Sequence, residues 1–305
     1  MRTILIRILM TVPALWGVVT VTFLLLKVAP GGPFDRDKVL PPAITQNVEA
    51  KYHLDEPLLT QYGLYLKGVV QGDLGPSYKY LGRDITRIIR ETFPVSARLG
   101  FMAYVFALVF GIAGGILAGL RAGKAEDTIV SAFSALGFSV PSFVMSAALM
   151  YLLSHTLHIF PPALIGTWKH YVMPSIVLAA APTAYIARVT RANVIETMLK
   201  DYIRAARGRG VPEWRVVMQY IIRNAITPVV SYSGLLLAFL ITGSFVVEHM
   251  FAIPGMGRFF VTAVTNRDYP LIMGVTLVLA VVIIAANLIA DVLLAIVDPR
   301  LRGRT

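Results

Sequence analysis

The run "GIAGGILAGLRAGK" at 111–124 ends in Gly123-Lys124, where a phosphate-cradling loop would put its last glycine and its lysine. The remaining spacing fails: such a loop needs glycine at 118 and a hydroxyl at 125, and both positions hold alanine. The five histidines, His53, His155, His158, His170 and His249, include no H-E-x-x-H, and His155 and His158 lie near a span end, where interfacial or capping histidines are far commoner than metal ligands. Asn287 and Asp291 stand four apart, on one face of any helix that carries them. An acid within an apolar stretch suggests a proton relay, although Asp291 lies near enough to the stretch's end to reach an interface instead. No nucleophile with an adjacent base is visible. The expectation is a chain that is not itself an enzyme and holds no cofactor and no metal.

What must be positioned is therefore a path or a contact, and composition says in what medium. Of 305 residues, 56% are hydrophobic and mean hydropathy is +0.70. Several apolar runs reach the ~20 residues that cross a hydrocarbon core. Spans are expected at about 8–28, 97–120, 129–154, 171–192, 229–248 and 271–297. No barrel-like alternation occurs, so the expected fold is an all-α integral membrane bundle whose backbone groups pair within each helix. The first apolar run is longer than a signal peptide's and lacks an A-x-A-like site, so it reads as a retained span.

The net charge of +11 could indicate nucleic acid, but charge placement explains it better. With the N-terminus inside, the segments 1–7, 121–128, 188–228 and 298–305 hold 15 of 28 basic residues and 6 of 17 acidic ones. The short outer loops near 155–170 and 249–270 hold only Lys169, Arg258 and Arg267. Both termini are thus expected on the cytoplasmic side of the membrane. Three domains follow: 1–28 as the N-terminus and first helix, 29–96 as a mostly helical outer insertion, and 97–305 as the membrane core. The insertion contains Pro41-Pro42, the helix-like "AITQNVEAKYHLDEPLLTQYGLYLKGVVQ" and the turn-rich "GDLGPSY". Its alternative is an amphipathic segment lying on the surface.

Gly111, Gly115 and Gly119 recur every four residues, a spacing that lets helices approach closely, either within the chain or across a subunit contact. Pro141, Pro174 and Pro182 interrupt the third and fourth spans. Candidate path residues are the polar ones within spans: Ser139, Ser142, Thr183, Tyr185, Ser231, Tyr232, Thr242 and Ser244. Serine and threonine also bond their own helix backbone, so each has a structural reading.

One basic interval breaks the apolar pattern, residues 193–228 between spans four and five. Val194, Ile195, Met198, Leu199, Tyr202 and Ile203 recur at helical spacing, so 192–209 reads as helix. Gly208 and Gly210 loosen its end, and Pro212 with Glu213 suits the first turn of a second helix. The reading is two short cytoplasmic helices around a Gly-Val-Pro elbow. A basic amphipathic segment on anionic lipid is the other reading, against which Ala205, Ala206 and Gly208 leave room for a protein surface.

"RAARGRG", followed by a helix and then a proline before the next span, resembles the EAA loop of ATP-binding cassette importer permeases. Arg204 stands at the family's Glu, Ala205 and Ala206 match, and Gly210 matches the Gly. The replaced Glu is similar to the peptide and nickel permease branch, and Asn224 departs from it where several peptide permeases have proline. "LPPAITQNVEAKYHLDEPL", "GDLGPS", "FPVSARLG", "VPSFV", "YIARVTRANVIE", "IPGMGRFFVTAVTNRDY" and "NLIADVLLAIVDPRLR" extend the resemblance to B-type permeases of oligopeptide importers over nearly the whole chain. It implies a type I importer permease fold in a bacterial inner membrane, a sister permease completing a heterodimer, two cytoplasmic ATPases that bind ATP and Mg, and an extracytoplasmic peptide-binding protein. It also implies that Tyr202, Arg204, Ala205, Ala206, Arg207, Gly208, Gly210, Val211 and Pro212 meet an ATPase, packing around Ala205, Ala206 and Gly210 with arginines on the rim. Alternatives are a permease for dipeptides, nickel chelates or another solute, a stand-alone secondary transporter, for which few midplane coupling-ion residues exist, and a membrane enzyme, for which no site exists.

Overall fold

The computed structural model describes residues 2–29, 55–80 and 82–297, with side chains over 9–29, 55–80 and 82–289. Pro41-Pro42, Lys51, the 43–54 part of the helix-like stretch and the 298–305 segment lie outside the described residues, as does the Asp291 side chain. Among the described residues the elements are helices, apart from one isolated bridge between Pro76 and Asp84. They are α1 (Arg2–Val28), α2 (Leu58–Gln71), α3 (Ile85–Leu120), α4 (Ala125–Ser139), α5 (Ser142–Leu149, extended by a π-helical Met150–Thr156) and α6 (Lys169–Met198). There follow α7 (Asp201–Gly208), α8 (Glu213–Arg215, running through a π-helical Val216–Ile222 to Arg223–Ala225), α9 (Thr227–Ile241), α10 (Phe245–Met250), α11 (Met256–Asn266) and α12 (Tyr269–Val297).

Four stretches, Leu9–Val28, Ile85–Leu120, Lys169–Met198 and Tyr269–Ile289, are each long and apolar enough to cross a membrane. Two bent pairs raise the number to as many as six: α4 with α5 and its extension, bent by 111°, and α8 with α9, bent by 46°. The expected third span is therefore not one straight rod. Pro141 has no N–H to donate and its ring disfavours helical backbone at the residue before it. Val140 accordingly lies extended, at φ −85° and ψ 120°, and the helix stops at Ser139. Pro174 and Pro182 are by contrast absorbed within α6.

Three other bounds differ from expectation. α3 begins at Ile85, twelve residues before the apolar run, because Arg87, Arg90 and Glu91 are good helix formers that hydropathy alone does not count. The fifth span ends at Ile241 instead of 248: the chain turns through Gly243, and Ser244 restarts it by capping the backbone N–H of Val247. The helix expected over 192–209 is interrupted at Leu199-Lys200, where Lys200 is extended (φ −69°, ψ 145°).

The chain divides into two compact units, the first comprising residues up to Pro94 with Gly255–Val281, the second Val95–Pro254 with the residues from Val282 on. In the first, Ile85 and Ile88 of α3 pack with Met256, Leu271 and Val275. A buried carboxylate, Asp268, ties its loops: it accepts from the Ser77 hydroxyl, from Tyr78 N–H at 3.1 Å and from Leu271 N–H at 3.4 Å.

In the second unit α6 is the central member. α3 lies along it through the glycine row. A Cβ added at Gly111 would come within 2.8 Å of Ile186, at Gly115 within 2.5 Å of Thr190, and at Gly119 within 2.6 Å of Val194. The row is thus closed by a helix of the same chain. α4 packs on α6 as closely, since a Cβ at Gly137 would lie 2.9 Å from the Ala180 carbonyl oxygen. α3 and α9 touch backbone to backbone at Gly100, where a Cβ would lie 2.1 Å from the Leu240 carbonyl oxygen. In this unit the wholly buried Glu248 accepts a 2.6 Å hydrogen bond from Ser96.

Candidate coupling site

α7 is held by its own apolar stripe. Ile203 and Ala206, three residues apart, are fully buried among Val194 of α6 and Val216, Ile221 and Ala225 of α8, with Ile116 and Leu120 of α3 against them. Asp201 in its first turn and Arg207 in its last oppose the helix dipole. Asp201, Tyr202, Arg204, Ala205, Arg207 and Gly208 are left exposed. Trp214 and Met218 of α8, about 60% exposed, add apolar surface nearby in sequence.

The elbow that follows is built by backbone. Gly210, at φ +76°, takes the left-handed conformation that a Cβ would oppose. Its N–H bonds the Arg207 carbonyl at 2.9 Å, and the Val211 N–H reaches the Ala206 carbonyl at 3.2 Å, so the carbonyls at the helix end are satisfied. Pro212 starts α8 with its carbonyl accepting from Val216 at 3.1 Å. Arg207 spans the turn as a fork, Nη2 at 2.6 Å and Nε at 3.1 Å from the two Glu213 carboxylate oxygens. That hydrogen bonding raises the Arg207 pKa further, so the guanidinium is charged at every accessible pH.

Ala206 differs from the sequence reading: it faces the chain's own core, so the exposed small surface consists of Ala205, Gly208 and Gly210. A Cβ at Gly208 or Gly210 would meet nothing within 4 Å. Val211 is half-buried and Pro212 exposed.

The path candidates are only partly brought together. Ser139 and Ser142 flank the 111° bend. Tyr185 of α6 and Tyr232 of α9 meet with ring centroids 4.6 Å apart. The rest turn to their own backbone: Ser231 to Thr227 O at 3.1 Å, Thr242 to Phe239 O at 2.7 Å, Thr183 to Ala179 O at 2.7 Å, while Ser244 caps α10. Asn287 is exposed.

Sequence reasoning missed one pair. Asp127, in the first turn of α4, has a nearly buried side chain and accepts from two of the Arg191 guanidinium nitrogens, Nε at 2.5 Å and Nη2 at 2.8 Å. The partners are 64 residues apart, and neither stands out locally among the charges around it. Among the described residues no group of three or more His, Cys, Asp or Glu could hold a metal ion.

Comparison with known proteins identifies the class first. The model of the family described as "Binding-protein-dependent transport system inner membrane component" matches residues 111–303, and the chain belongs to that family: it is a multi-pass inner-membrane permease component of an ATP-binding cassette transport system. As the membrane component of such a system it is not itself catalytic. The particular likeness is to peptide permeases. The chain is 39% identical over 285 residues to the dipeptide transport system permease protein DppB of Bacillus subtilis, covering 93% of this chain and 92% of that one. It is 38% identical over 307 residues to the oligopeptide transport system permease protein OppB of Salmonella typhimurium, covering 99% of each. Among solved structures, the MetNI methionine ABC transporter matches 69% of this chain and 96% of its own at TM-score 0.55 and 16% identity. An amino acid ABC transporter solved with histidines matches 70% and 94% at TM-score 0.52 and 19% identity. These share the type I importer permease fold expected from the motifs.

Proposed function

We propose that the chain forms one half of the pore of a peptide importer and passes the motion of cytoplasmic ATPases to that pore through α7. The observation that carries this is the two-sided character of α7. Ile203 and Ala206 fasten it to the ends of α3, α6 and α8, while Ala205, Gly208 and Gly210 leave open space on its outer side. A helix rooted in three others and bare outside suits a lever: a partner that moves it moves its roots. ATP binding would close the two ATPases on each other, and a differential contact with α7 would bias the pore between outward-open and inward-open states. A sister permease would supply the other half, and a binding protein outside would deliver the peptide. Peptide as cargo rests on the names of the full-length relatives.

In this reading 1–28, 29–96 and 97–305 are the first helix, an outer insertion and the membrane core, with both termini cytoplasmic. The chain has no cysteine, so single ones report topology cleanly. Lys67→Cys and Lys169→Cys should react with a membrane-impermeant thiol reagent from outside; Lys124→Cys and Arg204→Cys should react only once the inner face is opened. The opposite pattern reverses the topology. For function, the purified chain in liposomes should neither hydrolyse ATP nor accumulate peptide, and adding sister permease, ATPases and binding protein should produce both. Peptide accumulation by this chain alone on a proton gradient would favour a secondary transporter and defeat the proposal.

A further inference from the structure

The segment Ala187–Val194 of α6 is gripped from two sides. On one, Gly115 and Gly119 of α3 lie so close that a Cβ would come within 2.6 Å of Ala187 O and 3.1 Å of Arg191 O. On the other, the Arg191 side chain is drawn to Asp127 by two hydrogen bonds. Asp127 has little freedom to let go. Its residue is 5% exposed, and its oxygens also accept from Gly123 N–H at 2.9 Å and from Ser131 Oγ at 3.4 Å. The negative charge sits in the first turn of α4, where the helix dipole favours it. Further along the same pair of helices, Gly137 abuts Ala180 and Ala184, and the Arg188 guanidinium lies 5.2 Å from the Phe138 ring centroid. α4 is thus pinned to α6 at both of its ends. Three residues past Arg191, Val194 belongs to the buried cluster that holds Ile203 and Ala206 of α7. At its other end α4 stops at the Val140-Pro141 bend, flanked by Ser139 and Ser142.

We propose that the Asp127–Arg191 pair is a permanent strut: it makes α4 travel with α6, so that displacement of α7 reaches the Val140-Pro141 bend. The two residues are positioning residues, touching neither cargo nor nucleotide, and the proposal rests on α7 being the ATPase lever. A fork of charge-assisted hydrogen bonds suits a strut, since it resists both sliding and rotation where a single apolar contact resists neither. Coupling is read directly, as peptide imported per ATP hydrolysed.

The test uses the complete transporter in proteoliposomes, measuring assembled complex, ATP hydrolysis stimulated by loaded binding protein, and peptide imported per ATP. Asp127→Ala and Arg191→Gln should leave stimulated hydrolysis within about twofold and lower the peptide-to-ATP ratio at least about fivefold, the low end of ordinary coupling strengths. Arg191→Lys, which keeps the charge and loses the fork, should fall between. An Asp127→Cys/Arg191→Cys double variant should be defective until a short bifunctional thiol reagent joins the two, and should then recover its ratio. An unchanged ratio in the single variants would overturn the proposal. So would arrest of transport by the cross-link, because the pair would then have to open in each cycle. Loss of assembly repaired by the cross-link, with the ratio normal throughout, would make the pair a folding element and also overturn it. Failure of the lever reading itself looks different: Gly208→Trp on α7 would then leave both hydrolysis and import untouched.

Discussion

Two sets of small residues invite the same interpretation and have opposite fates. Gly111, Gly115 and Gly119 form a seam on α3; Ala205 and Gly208 of α7, with Gly210 of the elbow after it, form an exposed patch. The seam is filled: each glycine has atoms of α6 within 3 Å of where its Cβ would be. The patch is open, with nothing within 4 Å of a Cβ at Gly208 or Gly210. Small residues mark a place where two backbones come together. Whether the second backbone belongs to the same chain is decided by what already occupies the space. Ala206 shows how narrow the margin is: one residue from Ala205, it points the other way and is fully buried.

The strongest way to break the comparison is Gly115→Leu. The Cβ alone would sit 2.5 Å from Thr190 Cβ and 2.6 Å from the Ala187 carbonyl oxygen, and the latter is backbone that cannot rotate aside. Overpacking costs about 1–3 kcal/mol where side chains can yield, and more where they cannot. The variant should fail to accumulate as monodisperse protein in detergent, and Gly115→Ala should do so with a lowered melting temperature. A Gly115→Leu protein as stable as wild type would mean that the seam is looser than described.

On the open side, Gly208→Trp should leave that same stability unchanged, since tryptophan is the better helix former and no atom lies within 4 Å of the added Cβ. Peptide uptake by the assembled transporter should nevertheless fall at least about tenfold, as expected for losing a coupling of ordinary strength. Gly210→Trp should have the same effect on uptake with an added cost of about 1 kcal/mol in stability, because φ +76° is strained for any residue with a Cβ. Stability and uptake falling together at Gly208 would place a partner from the chain's own fold on the patch.

The type of fold was legible because apolar runs of about 20 residues can do little else in a membrane, and the elbow because Gly210 and Pro212 each permit few alternatives. What was not legible depended on partners distant in sequence. Hydropathy over 129–154 is continuous, and the 111° bend comes from one proline; Pro174 and Pro182, equally visible, are accommodated within α6. A proline's position gives a missing hydrogen bond, but neighbouring helices decide whether the helix breaks. Ala205 and Ala206 look alike in the sequence, and only the register of α7 against Val194 and Ile221 separates them. Asp127 and Arg191 carried no signal because nothing local to either names the other.

A smaller effect is expected at the elbow's outer brace. Arg207→Ala removes the fork to Glu213, but the turn retains its backbone bonds from Gly210 to Arg207 and from Val211 to Ala206. Both side chains are substantially exposed, and exposed pairs contribute little. Uptake should fall about two- to fivefold with stability unchanged, and the loss should shrink in Arg207→Lys. A defect as deep as that of Gly208→Trp would make Arg207 a direct contact of the partner and not only a brace.

The smallest effect sharpens the same distinction for hydroxyls. Ser231 on α9 is exposed, as a path-lining hydroxyl must be, yet its Oγ bonds the Thr227 carbonyl one turn back at 3.1 Å. Thr242 does likewise to Phe239 at 2.7 Å. A hydroxyl that serves its own helix is closed in the way that the glycine seam is closed: its donor is already used. Ser231→Ala loses a bond to a carbonyl that the helix can satisfy without it, and it creates no cavity because the side chain is exposed. Peptide uptake and its dependence on peptide concentration should both stay within about twofold of wild type, the range of surface substitutions away from special features. Tyr232 supplies the contrast one residue on, since its ring meets Tyr185 at 4.6 Å from a second helix. Tyr232→Ala should exceed the Ser231→Ala effect, because it removes a contact between α6 and α9 as well as a polar group. If Ser231→Ala instead changes the concentration dependence while Tyr232→Ala does not, the path runs past the serine, and its bond to Thr227 must exchange for one to the cargo.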